Sequence, residues 1–260
     1  MTTRDFEAYL VSLFGPMGGG DGLAFGDPLA EVKAVQICWM ANVEAIRHAV
    51  SVGANMILAH EAVFFPYPGI RSGVAPADSL SWPVNRERIR LMSDAGVSVI
   101  RVHSPMDRWH GGEAFRQALG LPQRSLAEAD GLKVYDVEPV PLGRFVEDVK
   151  RRLGLATVRV GRAPMDRVVR RVALAPGGTG LFVNAEYQAR LLKWKPDVIV
   201  GGETDTYGIH FALDVGVPFV ETGHEVSENA DTRRVADRIR QDLPGLPVHW
   251  FENARPWVVV

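Results

Sequence analysis

Apolar and polar positions alternate along this chain in blocks that read as strands and helices in turn. From Val32 the run VKAVQICWM reads as a strand. Asn42 can then cap a helix whose Val43, Ile46, Ala49 and Val50 share one face, and Gly53 can end it. NMILAHEAVFF begins as the next strand, and the Gly/Pro-rich stretch PYPGIRSGVAPADS reads as a loop. A helical spacing follows from about Val84 to Ala95; SVIRVHSPMD is a strand running into a turn, and GGEAFRQALG is a short helix stopped by Gly120.

The second half repeats this order after a connecting region, 122–161, in which no element is assigned. RVVRRVALA is a strand, the turn PGGTG leads into LFVNAEYQARLLKW as a helix, and DVIVGGE is a strand. TYGIHFALDVG is a helix, PFVETGH a strand, ADTRRVADRIRQDL a helix and VHWFE a closing strand. The expectation is an α/β protein of two similar halves, each a mixed sheet flanked by helices. One domain spans 1–121 with the C-terminal segment 225–260 joined to it, and the second spans 122–224. In such folds ligands collect beyond the carboxyl ends of strands.

Composition narrows the partners. The 260 residues are 47% hydrophobic and 23% charged, as in an ordinary soluble globule, and the net charge of -2 gives no footprint for a polyanion. The arginines of RRLGLATVRVGR and DRVVRR are interleaved with acids and strand letters, so nucleic acid is not an expected partner. MTTRDFEAYLVSLFG is amphipathic and contains acids, and no stretch approaches the length of a membrane span; the expected location is the cytoplasm, with no membrane partner. The lone cysteine, Cys38, lies among strand letters as a packed thiol.

The polar letters that interrupt strand ends carry the chemistry. His60 and Glu61 end one strand, His103 and Asp107 the next, Glu203 a strand of the second half, and His224 with Glu228 the one after. Neighbours on a continuing strand face opposite ways, so His60 and Glu61 can serve one site only if the strand breaks at His60. His224 and Glu228 share a face if the chain is already helical there, with Gly223 supplying the turn. Taken singly, a strand-end histidine is ordinarily structural and an aspartate after proline ordinarily caps a turn. Together, imidazoles and carboxylates at equivalent strand ends form a ligand set for zinc, manganese, iron, cobalt or nickel. PGGTG lacks the Lys-Ser/Thr of a phosphate loop and reads as a tight turn; Trp109, Trp194, Trp250 and Trp257 read as core or interface rather than base-stacking residues.

AHEAVFF, VHSPMD, GGE and GHEVSE occur in the order and at spacings comparable to the motifs of one family, from about Gly26 to Asn253. The chain resembles the Nif-three-like proteins (NGG-interacting factor three-like), whose bacterial members carry the name GTP cyclohydrolase type two homologue. The resemblance implies two divalent metals in a cleft between the halves. It assigns His60, Asp107, His224 and Glu228 as ligands, with Glu228 or Asp107 bridging. Glu61 stands where the family has the second histidine of a pair, so either a carboxylate replaces that imidazole or the second metal is held weakly or lost. His103 and Glu203 are assigned to the substrate side or to orienting ligands, and Glu225 is given no role. The implied activity is metal-dependent hydrolysis of a small molecule, with opening of a purine nucleotide ring the named reaction; the alternative is a non-catalytic metal-binding module for sensing, storage, delivery or protein contacts. The resemblance also implies a homohexamer, with apolar surface from FFPYPG and RPWVVV.

Overall fold

The computed structural model describes residues 1–66, 76–129 and 131–260. Most of the loop expected over PYPGIRSGVAPADS, and Tyr67, Pro68 and Gly69 of FFPYPG, lie outside the described residues. Two compact units are present, one of Met1–His110 with Thr232–Asn253 and the other of Gly111–Asp231 with Ala254–Val260.

The first unit is built on a five-stranded sheet in the order Gly22–Phe25, Ser98–Arg101, Met56–Ala59, Val35–Cys38, Val248–Phe251. The first strand runs antiparallel to its neighbour, and the others are parallel. Every residue of the three middle strands is buried, so both faces of the sheet are covered and the strands are mostly apolar, with Gln36, Ser98 and Arg101 as buried polar exceptions. The period of two sorts them between two cores. Val35, Ile37, Met56, Leu58 and Ile100 pack with Phe6 and Leu10 of helix Thr3–Phe14 and with Val235 and Ile239 of helix His224–Asp242. Cys38, Ile57, Ala59 and Val99 point the other way, onto Ala45, Ile46 and Ala49 of helix Val43–Ser51 and Met92 of helix Pro83–Ala95. Asn42 caps the first of these helices by accepting the Ala45 N–H at 2.9 Å. The strands end level, Cys38 beside Ala59 and Ala59 beside Arg101, so the residues that follow leave the sheet side by side.

The second unit holds a six-stranded sheet in the order Ala127–Ala129, Leu132–Pro141, Val168–Ala175, Val198–Gly201, Phe219–Glu221, Arg159–Val160. Val168–Ala175, Val198–Gly201 and Phe219–Glu221 are parallel and again end level, Ala175 beside Gly201 and Gly201 beside Glu221. The connecting region supplies the two strands at one edge, helix Leu142–Leu153 and the short strand at the other edge. Two prolines break the apolar alternation of LKVYDVEPVP; Pro139 is accommodated where the pairing with Val168–Ala175 shifts register between Asp136 and Val140. LFVNAEYQARLLKW divides into a 3-10 turn, Phe182–Asn184, and helix Ala185–Leu192. PGGTG forms a 3-10 turn over Gly177–Thr179. The last helix starts at His224, six residues before the apolar period of ADTRRVADRIRQDL reveals it.

Candidate metal centre

In the first unit the strand Met56–Ala59 stops one residue before His60. The N–H groups of His60 and Glu61 both reach the Trp39 carbonyl, at 3.1 and 2.7 Å. Successive N–H groups of a regular strand alternate in direction, so this convergence is the break that lets both side chains serve one site. From the neighbouring strand, Val102 donates its N–H to the Ala59 carbonyl at 2.9 Å, and His103 donates its own to Asp21 Oδ1 at 2.8 Å. The chain then turns at once into helix Ser104–His110, where the sequence reading has only a turn. That helix sets Asp107 four residues after His103 and His110 three residues after Asp107, on one face.

His60 is fully buried and Glu61 is 7% exposed. The His60 and His103 rings stack at 4.5 Å. His103 Nε2 lies 3.4 Å from Glu61 Oε1, His103 Nδ1 3.4 Å from Asp107 Oδ2, and His60 Nε2 3.4 Å from Asp107 Oδ1. Burial opposes charging His103, but the Glu61 hydrogen bond and the Asp107 and Glu61 charges overcome it and raise its pKa. His60 Nδ1 lies 3.2 Å from the Val102 carbonyl, which can only accept, so Nδ1 carries the proton. In the neutral ring the Nε2 lone pair therefore faces a carboxylate oxygen. Two acceptors in that relation call for a cation or a further proton. His60, Glu61 and His103 offer ligand atoms all within 4.8 Å of one another, a nitrogen and oxygen set suited to a borderline divalent ion. His110 Nε2 is 3.8 Å from Asp107 Oδ1.

In the second unit Gly223, at φ +115°, turns the chain from strand Phe219–Glu221 into the helix that begins at His224. His224 Nε2 lies 3.2 Å from Glu228 Oε2 and His224 Nδ1 lies 3.0 Å from Glu203 Oε2. A neutral imidazole has one N–H, so one of these carboxylates faces a lone pair. With the proton on Nδ1, Glu203 orients the ring while Nε2 and Glu228 point their acceptor atoms at the same place, the carboxylate–histidine arrangement of metal ligands. The PGGTG turn is part of this set. Gly177 donates its N–H to Ser227 Oγ at 2.9 Å, accepts the Glu203 N–H at 2.9 Å, and Ser227 Oγ donates to the His224 carbonyl at 2.7 Å. A Cβ on Gly177 would sit 2.2 Å from Glu228 Oε1 and 3.2 Å from His224 Nε2. Glu225 is buried, and burial pushes its pKa up.

The structure thus brings His60, Glu61, His103 and Asp107 together in one unit, and Glu203, His224 and Glu228 together in the other. Sequence reasoning missed His110, Asp21 and Gly177. For His110 the signal was the i, i+3 spacing from Asp107, hidden by reading that stretch as a turn; for Asp21 and Gly177 only the fold supplies it.

The model of the Duf34/NIF3 (NGG1p interacting factor 3) family matches residues 19–256. This chain belongs to that family. A "GTP cyclohydrolase 1 type 2 homolog" of Lactococcus lactis is 25% identical over 252 residues, covering 94% of this chain and 92% of its own. One from Chlamydia pneumoniae is 23% identical over 248 residues, covering 92% and 91%. The crystal structure of a Bacillus cereus protein related to NIF3 superposes with a TM-score of 0.80 at 17% identity, covering 100% of this chain and 99% of that one. For this NIF3-family chain these likenesses bear out the expected fold and family. Among the described residues no helix is long and apolar enough to cross a membrane.

Proposed function

We propose that this NIF3-family protein is a divalent-metal-dependent hydrolase, with His60, Glu61, Asp107, His224 and Glu228 as the metal ligands and up to two ions bound. The observation that carries the reading is His60: its Nδ1–H is committed to the Val102 carbonyl, and its Nε2 faces Asp107 beside Glu61 and His103. When bound, a divalent ion supplies Lewis-acid polarisation and a water of lowered pKa. The chain's own residues do the remainder. Glu203 holds the His224 ring by Nδ1, leaving Nε2 directed to the side of Glu228. His103, between Glu61 and Asp107, supplies an imidazole close to where the family's second histidine is replaced by Glu61, and it is placed to donate to a substrate oxygen or nitrogen.

The substrate is a small molecule, and the names of the relatives favour a purine nucleotide whose ring is opened by water. The protein is proposed to work as a homo-oligomer, a hexamer; Val258 and Val259, 82% and 63% exposed, support an assembly larger than the monomer. Metal content is measured by mass spectrometry after loading with zinc or manganese, and turnover is screened over nucleotides, phosphoesters and amides beside Asp107→Ala. Metal-dependent turnover lost in Asp107→Ala is the expected result. Tight metal binding with no turnover on any of the panel makes the protein a metal-binding module instead, and no metal binding refutes both.

A further inference from the structure

In the first unit the chain after Glu61 lines a cavity of about 420 Å³, walled by Val63, Phe64, Phe65, Leu80 and Arg101 among others. This volume lies within the range of small-molecule sites. Two buried polar side chains that play no part in the metal reading hold its wall. Asn85 accepts the Phe65 N–H at 2.9 Å, and its amide donates to the Phe65 carbonyl and, at 2.8 Å, to the Ser79 carbonyl, so it clamps two lining residues at once. Arg88 donates to the Val63 carbonyl and lays its guanidinium over the Phe65 ring at 4.7 Å. Burying an amide and a guanidinium is costly unless they are hydrogen-bonded, and here those bonds go to the main chain of the cavity wall and fix its shape. Phe65 nevertheless stays partly exposed, with apolar surface still to be covered.

Asp21 ties this cavity to the histidine cluster. Its Oδ1 accepts both from Arg101 Nη1, at 3.2 Å, and from the His103 N–H, so one carboxylate fixes a lining residue and a residue of the cluster. It also offsets the Arg101 charge, which leaves the cavity ill suited to a phosphate and suited to an uncharged apolar group.

We propose that the cavity is a subsite for an uncharged aromatic ring of the substrate, whose hydrolysable group reaches the His60–Glu61–His103 cluster. What the ring is attached to rests on the hydrolase reading; binding of the ring does not.

The experiment has two arms. In the first, 2-naphthol is titrated by calorimetry into EDTA-treated wild type, into Ala77→Trp, which fills the cavity from an exposed lining position, and into Val183→Trp, an exposed control in the other unit. Binding to wild type and to Val183→Trp, weakened at least tenfold in Ala77→Trp, is expected. No binding to wild type, or equal binding to all three, overturns the subsite. In the second arm, zinc-loaded protein is titrated with acetohydroxamate and with 2-naphthohydroxamate. The naphthyl compound should bind at least tenfold tighter, because the ring and the chelating group act together, and Ala77→Trp should erase that gain while leaving acetohydroxamate binding unchanged. Equal affinities overturn the link between ring and cluster. A protein that binds neither zinc nor manganese sinks the hydrolase reading, and the naphthol arm still decides the subsite.

Discussion

Gly177→Ala separates the reading of PGGTG as a support for metal ligands from its reading as a mere turn. Gly177 sits at φ +59°, where an L residue costs about 1–2 kcal/mol. Its added methyl would lie 2.2 Å from Glu228 Oε1. Ordinary carbon contacts lie near 3.5–4 Å, so the carboxylate must retreat by roughly 1.5 Å, which destroys the 3.2 Å approach of Glu228 to His224. Disturbing a residue that supports metal ligands typically lowers affinity by about 10–100-fold. Zinc affinity is read by competition with a chromophoric chelator, and stability by urea unfolding. Gly53→Ala is the control: its φ is +73° and nothing lies within 4 Å of its added Cβ, so it carries the backbone strain alone. Gly177→Ala should lose at least as much stability as Gly53→Ala, since the clash adds to the strain, and only Gly177→Ala should lose zinc affinity. Unchanged zinc affinity in Gly177→Ala, or an equal fall in Gly53→Ala, would refute the reasoning.

Glu61→Gln should weaken one ion or shift preference away from manganese, and Glu61→His should tighten zinc or nickel; metal content and selectivity unchanged in both would make Glu61 a bystander. Glu203→Gln keeps an acceptor for His224 Nδ1, so it should retain metal to within a few fold while turnover falls, and a metal loss as large as that of His224→Ala would count Glu203 among the ligands. Cys38 is fully buried, which pushes its thiol up to about 12 from 9.0, so native protein should not react with a thiol reagent at about pH 8 and denatured protein should. Because the folded value is the higher one, the stabilisation is present below pH 9 and is lost as pH rises toward 12; Tyr9 and Tyr135, also raised by burial, lose stability over the same range, so the fall in unfolding free energy between pH 9 and 10.5 should be about 1.5 kcal/mol smaller in Cys38→Ala. An identical fall in Cys38→Ala would show that other groups cause it.

The inner parallel strands of both sheets were legible because burial on both faces keeps them mostly apolar, and the helices beside them because Asn42, Gly53 and Gly120 punctuate a helical period. Strand Gly22–Phe25 escaped notice as a four-residue edge strand with one side open. Strand Leu132–Pro141 escaped because Glu138 and Pro139, where the pairing shifts register, break its apolar alternation. At the site, the break at His60 followed from the two-residue period alone, since a histidine and a glutamate cannot share a face of an unbroken strand. The helix start at His224 was half visible: Gly223 and the four-residue spacing to Glu228 suggested it, but HEVSEN carries no apolar stripe. Asp21 and Gly177 act through the main chain and through a missing side chain, and neither leaves a mark in a hydropathy pattern.

Position 61 is held by its own N–H on the Trp39 carbonyl, a contact to which the side chain contributes nothing. This main-chain anchor is available to any side chain at position 61. A lineage can exchange imidazole for carboxylate at that point in a single replacement and keep its architecture intact, so the electronic character of the centre is free to drift between related proteins whose backbones remain superposable. Under the proposed metal reading, shared shape is for that reason a poor guide to shared metal preference.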